Sequence, residues 1–301
     1  MTVTNKPGTI AFPSKIGVFW NSEPWPIADA QIMAREIEAL GYGSLFMPEG
    51  GGKDALVESA AFLGATERLV VGTGIANIHF RLPTAAESGA RMLTALYPGR
   101  FVLGLGVSHA PVVEGSFGGA YRKPLSMMRT YLERMNSVPV ELEPGSRPTR
   151  LLAALGPKMI GLSGELADGA HPYLVLPEQT RHTRAVLGDD PWIVTEQAVA
   201  IGGSAADQLR RAHSHLAPYS RMDNYRNSWL RQGFDDTDLV NGGSERLTRA
   251  LVGMGSAEDA AASVTAHLDA GADHVVVQVA VDAPTDDPLP TLRTLAAALD
   301  L

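Results

Sequence analysis

Three times along this chain an amphipathic segment runs into a glycine and then, within a few residues, into an unbroken apolar run: AREIEALGYGSLFMPE at Gly41, SGELADGAHPYLVL at Gly169 and TAHLDAGADHVVVQVAV at Gly271. Each junction reads as a helix closed by glycine and followed by a strand, so the chain is built of helix–strand units rather than hairpins. In the first helix Ile27, Ala30, Met33, Ile37 and Leu40 recur at spacings of three or four, while Arg35, Glu36 and Glu38 take the other side, so one face is buried. The strand segments are KIGVFW (15–20), SLFMP (44–48), RLVVGTGI (68–75), RFVLGLGV (100–107), RLLAAL (150–155), PYLVL (172–176), WIVTEQAVAI (192–201) and HVVVQVAV (274–281). None alternates polar with apolar, which is the habit of parallel strands covered by helices on both faces. Helical patterns near 54–65, 84–96, 125–136, 158–167, 178–187 and 205–216 lie between them, and about eight such pairs predict an α/β fold of the (β/α)8 TIM barrel class. The alternation lapses at about 218–255, which predicts a helical insertion before the last helix and strand of a single domain spanning 1–301. The Pro- and Glu-rich stretch 137–148 reads as a surface loop.

Composition narrows function by exclusion. With 25 Lys and Arg against 33 Asp and Glu the net charge is −8, and no basic block offers a footprint for nucleic acid. The absence of cysteine removes disulfides, thiolate nucleophiles, Cys-ligated zinc and iron–sulfur clusters. The start, MTVTNKPGTIAFPSK, lacks the apolar core of a signal peptide, and no apolar run approaches the roughly 18 to 20 residues that span a bilayer. A cytoplasmic protein acting on a small molecule is the expectation.

In a barrel of this kind ligand-handling groups come from the C-terminal ends of strands and the loops after them. GTGIAN (72–77) and GLGVSH (104–109) begin like dinucleotide fingerprints but lack the third glycine, so their glycines mark a bulge or a close backbone approach to a ligand. Gly156-Pro157-Lys158-Met159 follows a strand and opens a helix, a natural phosphate site or an ordinary βα loop. The eight histidines show no metal-ligand spacing, and neither a G-x-S-x-G elbow nor a phosphate-binding P-loop occurs, which argues against metal-dependent hydrolases and NTPases. His109 stands directly after the fourth strand, and His79 after the third. Glu49 ends the second strand and Glu196 lies inside the seventh, where a carboxylate must be paired or perturbed if buried. Tyr219, Asn224, Tyr225, Asn227, Trp229 and Arg231 of the insertion read either as a ligand lid or as a helix-packing surface.

KIGVFW with the helix ending ALGYGSLFMPE, then LVVGTGIANIHFRLPTAAESGARMLTALYPGRFVLGLGVSHAP, then LLAALGPKMIGLSGELADGAHPYLV, resembles the luciferase-like monooxygenase superfamily. The closer likeness is to its coenzyme F-420 (deazaflavin)-dependent oxidoreductases, and it extends to LAPYSRMDNYRNSWLRQGFDDTDL and AGADHVVVQV. The resemblance implies hydride transfer between the deazaflavin and a small organic substrate. FMN-dependent monooxygenation and non-catalytic flavin binding are the alternatives within the same fold. It places the tricyclic ring against Gly74, Ala76 and Asn77 and against Gly106, Val107, Ser108 and His109, and the phosphate over Gly156, Pro157, Lys158 and Met159. It also implies a non-proline cis peptide at Ala76–Asn77 or one bond earlier, and a homodimer. The second strand departs from better-known members, ending in Pro48-Glu49, three glycines and Lys53 instead of offering a histidine, so His109 is the first candidate for general acid/base and Glu49 the second. Lys53, Arg81, Arg122, Lys123 and Lys158 are expected on one cationic rim, with Lys158 on the phosphate.

Overall fold

The structure, a computed structural model, describes residues 10–116, 118–138 and 147–301. Its strands are β1 (Ile16–Phe19), β2 (Ser44–Met47), β3 (Val70–Thr73) with its continuation β4 (Ala76–Asn77), β5 (Phe101–Gly106), β6 (Thr149–Leu152), β7 (Gly169–Ala170), β8 (Trp192–Ile201), β9 (Val252–Gly255) and β10 (His274–Val279). All pairings are parallel, in the order β10-β1-β2-β3-β5-β6-β7-β8, and β8 pairs again with β10 from His274↔Val194 to Val279↔Val199. The sheet thereby closes into the eight-stranded TIM barrel that the alternation predicts. The helices are α1 (Ile27–Ala39), α2 (Ala55–Ala65), α3 (Pro83–Leu96), α4 (Ala110–Gly115), α5 (Pro124–Asn136), α6 (Pro157–Leu166), α7 (Pro177–Leu187), α8 (Ala205–Leu216), α9 (Asp223–Arg231), α10 (Glu245–Leu251), α11 (Ala257–Asp269) and α12 (Leu289–Ala298).

Gly271 shows why the junctions are legible. Its φ of 101° places it in the left-handed region, its N–H donates to Leu268 O, and the N–H of Ala272 reaches back to His267 O. This is the Schellman closure that lets α11 stop and the chain turn directly into β10. Gly169 works differently. α6 already ends at Leu166, and Gly169 is the first residue of β7, where a Cβ would collide with the carbonyl of Trp192.

Four expectations are corrected. PYLVL is not a strand: β7 holds only Gly169–Ala170, after which Leu174 adopts left-handed backbone (φ 52°), with its N–H on the Glu196 carboxyl and its C=O receiving the Trp229 indole N–H. The run is apolar because it lies buried at the barrel mouth; its tie to β8 is a single backbone bond, from the N–H of Glu196 to Pro172 O at 3.0 Å. The insertion contains α9, α10 and two short 3₁₀ turns as expected, but it ends in a strand, β9, which pairs with the far half of β8 outside the closed ring. Neither α4 nor α12 was anticipated, and α12 makes a further helix after the strand read as the last element. The cis peptide lies at Gly74–Ile75, upstream of either expected bond, because Ala76 and Asn77 are already in register with Leu105 and Gly106. Most of the stretch read as a surface loop, 139–146, lies outside the described residues.

Phe19, Phe46, Val102, Leu151, Val194 and Val276 fill the barrel. Phe12 seals its N-terminal end, stacked on His274 at 3.9 Å and edge-on to Trp192 at 5.5 Å. A second cluster, in which Leu174, Ala198, Leu216, Trp229 and Leu247 are buried together, fixes the insertion onto the end of β8. The C-terminal face of the barrel is thus roofed by the segment that interrupts the repeat.

Candidate active site

A cavity of about 520 Å³ opens at the C-terminal end of the strands, within the range of small-ligand and cofactor sites. One wall is backbone. Gly74, Ile75 and Asn77 face it from the β3–β4 break, and Gly106, Val107, Ser108 and His109 from the end of β5. Glycine is required here for close approach: a Cβ on Gly106 would lie 2.5 Å from Ile75 Cδ1, and one on Gly74 2.6 Å from Phe19 Cε2. Ser108, with φ at 57°, turns the chain away so that its side chain and that of His109 border the space. Ala76 is buried behind this wall and does not line it.

The floor is reached at His171, a residue the sequence reading did not single out. Its Nδ1–H donates to Val194 O at 2.6 Å, which leaves a lone pair on Nε2, a buried atom with no protein partner. Burial pushes this imidazole down to about 4, so it is neutral. At the far wall the insertion supplies Tyr219, Met222, Asn224, Tyr225, Asn227 and Arg231. Of the two readings of these residues the lid applies to all but Trp229, which is fully buried beneath them. His109 Nδ1 lies 3.0 Å from Asn224 Oδ1 and its ring packs against Tyr225. With the amide oxygen accepting, Nε2 keeps its lone pair. Burial holds this imidazole below the usual histidine range, partly offset by the Asn224 bond.

At the third wall Gly156 caps α6. Pro157 has no N–H, Met159 bends its own back to Gly156 O at 3.0 Å, and the N–H groups of Gly156 and Lys158 have no partner among the described residues. Open donors at a helix N-terminus suit an anionic oxygen. Gly156 and Met159 line the cavity, whereas Pro157 and Lys158 are exposed and do not. The cation nearby is Arg231 of α9, whose Nη2 donates to Leu155 O at 3.2 Å and lies 3.8 Å from where a Cβ of Gly156 would stand.

The expected rim also divides. Arg81 makes a two-pronged ion pair with Glu49 and a further contact with Asp54 at 3.0 Å. Lys53 donates to the carbonyls of Ser22 and Trp25 and pairs with Glu58 at 3.2 Å. Arg122 and Lys123 remain exposed after α4. Glu49 borders the cavity but is saturated: besides Arg81 it accepts from the N–H of Asn77 at 2.7 Å and of Ala55 at 3.0 Å. Two of the three glycines after it serve another carboxylate: the N–H groups of Gly50 and Gly52 both donate to Glu23 Oε1. Among the described residues no group of three or more His, Asp or Glu is placed to hold a metal ion, and no helix is long and apolar enough to cross a membrane.

A family model described as luciferase-like monooxygenase matches residues 9–274. The chain belongs to the luciferase-like monooxygenase family. A protein of Mycobacterium tuberculosis named as a coenzyme F420-dependent oxidoreductase is 32% identical over 190 residues, 53% of this chain and 54% of the relative, so the match spans about half the relative's length. Among solved structures, an F420-dependent secondary alcohol dehydrogenase in complex with an F420-acetone adduct superposes with a TM-score of 0.73 at 15% identity, covering 95% of this chain and 99% of the other. The oxygenating constituent of 3,6-diketocamphane monooxygenase of Pseudomonas putida, in complex with FMN, gives 0.67 at 16%, covering 94% and 96%. At these identities the two structures speak for the fold.

Proposed function

We propose that this chain is an oxidoreductase that uses coenzyme F420 to move a hydride to or from a small organic substrate. The observation that carries the reading is the cavity's division of labour: a flat backbone wall at Gly74–Asn77 and Gly106–Ser108, and open N–H groups beside Arg231 at the start of α6. That arrangement fits a planar tricyclic ring joined to a phosphate. Bound deazaflavin supplies the two-electron hydride chemistry.

The chain's own part is binding, orientation and proton handling. The residues that would hold the ring are those of the backbone wall, with His109 at its edge and the tyrosines of the insertion across the cavity. His109 Nε2 is the available base: neutral by burial, held by Asn224, and able to take a hydroxyl proton as an alcohol becomes a carbonyl, or to return it in the reverse direction. Glu49 acts as a positioning residue, tying the end of β2 to the N–H of Asn77 and to Arg81.

FMN is the second reading, and a specific observation favours it. Arg231 is the one cation that lines the cavity among the described residues, whereas Arg122, Lys123 and Lys158, which a longer anionic tail would need, are exposed and outside it. Titrating the protein with F420 and with FMN, followed by the absorbance of each, separates the two. We expect F420 to bind at least tenfold more tightly; tighter FMN binding makes the protein a flavin enzyme instead.

A further inference from the structure

Behind the tyrosines lies a second cavity, of about 270 Å³, between the ends of β1 and β10 and the last turn of α8. It is bordered by Trp20, Ser214, His215, Gln278, Asp282 and Asp286. A partition one hydrogen bond thick separates it from the main cavity. Tyr173, which borders the main cavity, accepts from the Tyr219 hydroxyl at 2.9 Å and donates to Gln278 Oε1 at 2.8 Å, while Gln278 itself borders the second cavity. With its oxygen so engaged, the Gln278 amide keeps its N–H donors, for which the described residues provide no acceptor. His215 packs against Tyr173 and Tyr219 with ring centroids 6.5 and 6.0 Å away, and its Nε2 is buried without a protein partner.

We propose that this second cavity is a binding site for a neutral hydroxyl- or carbonyl-bearing compound with a compact apolar body. Gln278 supplies the donor that a carbonyl or hydroxyl oxygen needs, and His215 supplies an unused polar atom beside it. Trp20, edge-on to Trp25 at 5.5 Å, supplies the apolar wall. The mouth sets the charge preference. Asp282 and Asp286 border it against one guanidinium, that of Arg210, which Asp282 shares with Asp207. The surplus carboxylate disfavours anions. The site does not depend on the cofactor assignment, because none of its polar groups belongs to the ring wall or the phosphate corner.

Trp20 makes the proposal testable without turnover. Cyclohexanol, cyclohexanone and cyclohexanecarboxylate, added singly to the cofactor-free protein, are expected to divide: the two neutral compounds shift tryptophan emission saturably, and the carboxylate binds at least tenfold more weakly. The shift should vanish in Trp20→Phe while calorimetry still detects cyclohexanol binding. Ser214 is exposed on α8, so Ser214→Phe blocks the mouth without disturbing the core and should weaken binding at least tenfold, as should Gln278→Leu. A shift that survives Trp20→Phe, an affinity indifferent to Ser214→Phe, or equal binding of the carboxylate overturns the site. Failure to bind F420 overturns the proposed function and leaves this site standing.

Discussion

Lys158 is adjacent in sequence to the open N–H groups of α6, yet it does not reach them. A helix turns about 100° per residue, so the second residue of α6 is carried to the outer face while Gly156 and Met159 face the cavity. Arg231, 75 residues beyond Gly156 in the sequence, lines the cavity beside it. Arg231→Ala should therefore weaken binding of a phosphate-bearing cofactor by about 1 to 2 kcal/mol, the lower part of the range for charge-assisted bonds because the guanidinium is partly exposed. The loss should shrink as salt rises, and Lys158→Ala should leave affinity unchanged at low salt. Cofactor titrations of both variants at two salt concentrations decide the matter, and equal losses would return the role to Lys158. Glu49 and Glu196 diverge for a comparable reason. Both are buried carboxylates, Glu49 just past β2 and Glu196 inside β8, but Glu49 has Arg81 while Glu196 has only the N–H of Leu174, with Oε1 unpaired. Burial accordingly pushes Glu196 up to about 8, a protonated acid at neutral pH.

At the scale of elements, the insertion is both roof and binding wall, and Trp229 holds it in place. The indole is fully buried and its N–H donates to Leu174 O at 3.0 Å, at the turn that replaces the expected strand. Trp229→Ala should cost about 3 to 5 kcal/mol, the usual range for emptying a large aromatic site. Trp229→Phe keeps most of the packing and should cost about 1 kcal/mol for the lost hydrogen bond plus a small cavity term. Urea unfolding of the two variants measures both numbers, and a Trp229→Ala loss under 1 kcal/mol would mean that the roof is not secured there. The segment was partly legible. Its mixture of aromatics and amides suggested a lid, but β9 was hidden because VGMG has little strand character of its own and becomes a strand by pairing with Ala198–Ile201.

For the whole molecule the consequence of burial is a pH profile. The imidazoles of His171, His215 and His267 are pushed down to about 4 by burial, and that of His274 to about 3. The unfolded chain takes up those protons near pH 6.5. Below that it binds more protons than the fold does, so stability falls as pH falls from 6.5 toward 4. Four such groups remove about 5 kcal/mol per pH unit at roughly 1.4 kcal/mol each, against a total of about 5 to 15 kcal/mol for a typical domain. Cooperative acid unfolding is expected near about pH 5. Glu196 acts in the opposite sense. The fold keeps a proton that the unfolded acid releases above its ordinary value of 4.5, so this group lowers stability as pH rises toward 8. Stability should therefore peak near neutrality, and Glu196→Gln should flatten the decline between about pH 6.5 and 8. Urea midpoints across pH 4.5 to 8 test both limbs; a profile flat from pH 5 to 7 would contradict the histidine argument.

The sequence by itself determined the barrel, because helix period, glycine closure and doubly buried strands are local patterns carried by neighbouring residues. Gly41 and Gly271 with the apolar runs after them suffice to read helix followed by strand, and eight repeats imply closure. The order of strand and loop also brought most of the candidate residues to the cavity at the C-terminal end of the barrel, since a βα loop follows its strand directly. Tertiary structure decided what those positions do. His171 became the cavity floor, Arg231 lines the cavity where Lys158 does not, Arg81 and Lys53 were consumed by ion pairs, and PYLVL turned to meet Glu196 and Trp229. Apart from the Lys53–Glu58 pair these outcomes depend on partners more than twenty residues away, and the free energy of a buried polar group is fixed by the donors and acceptors that reach it, which its own stretch of chain does not encode.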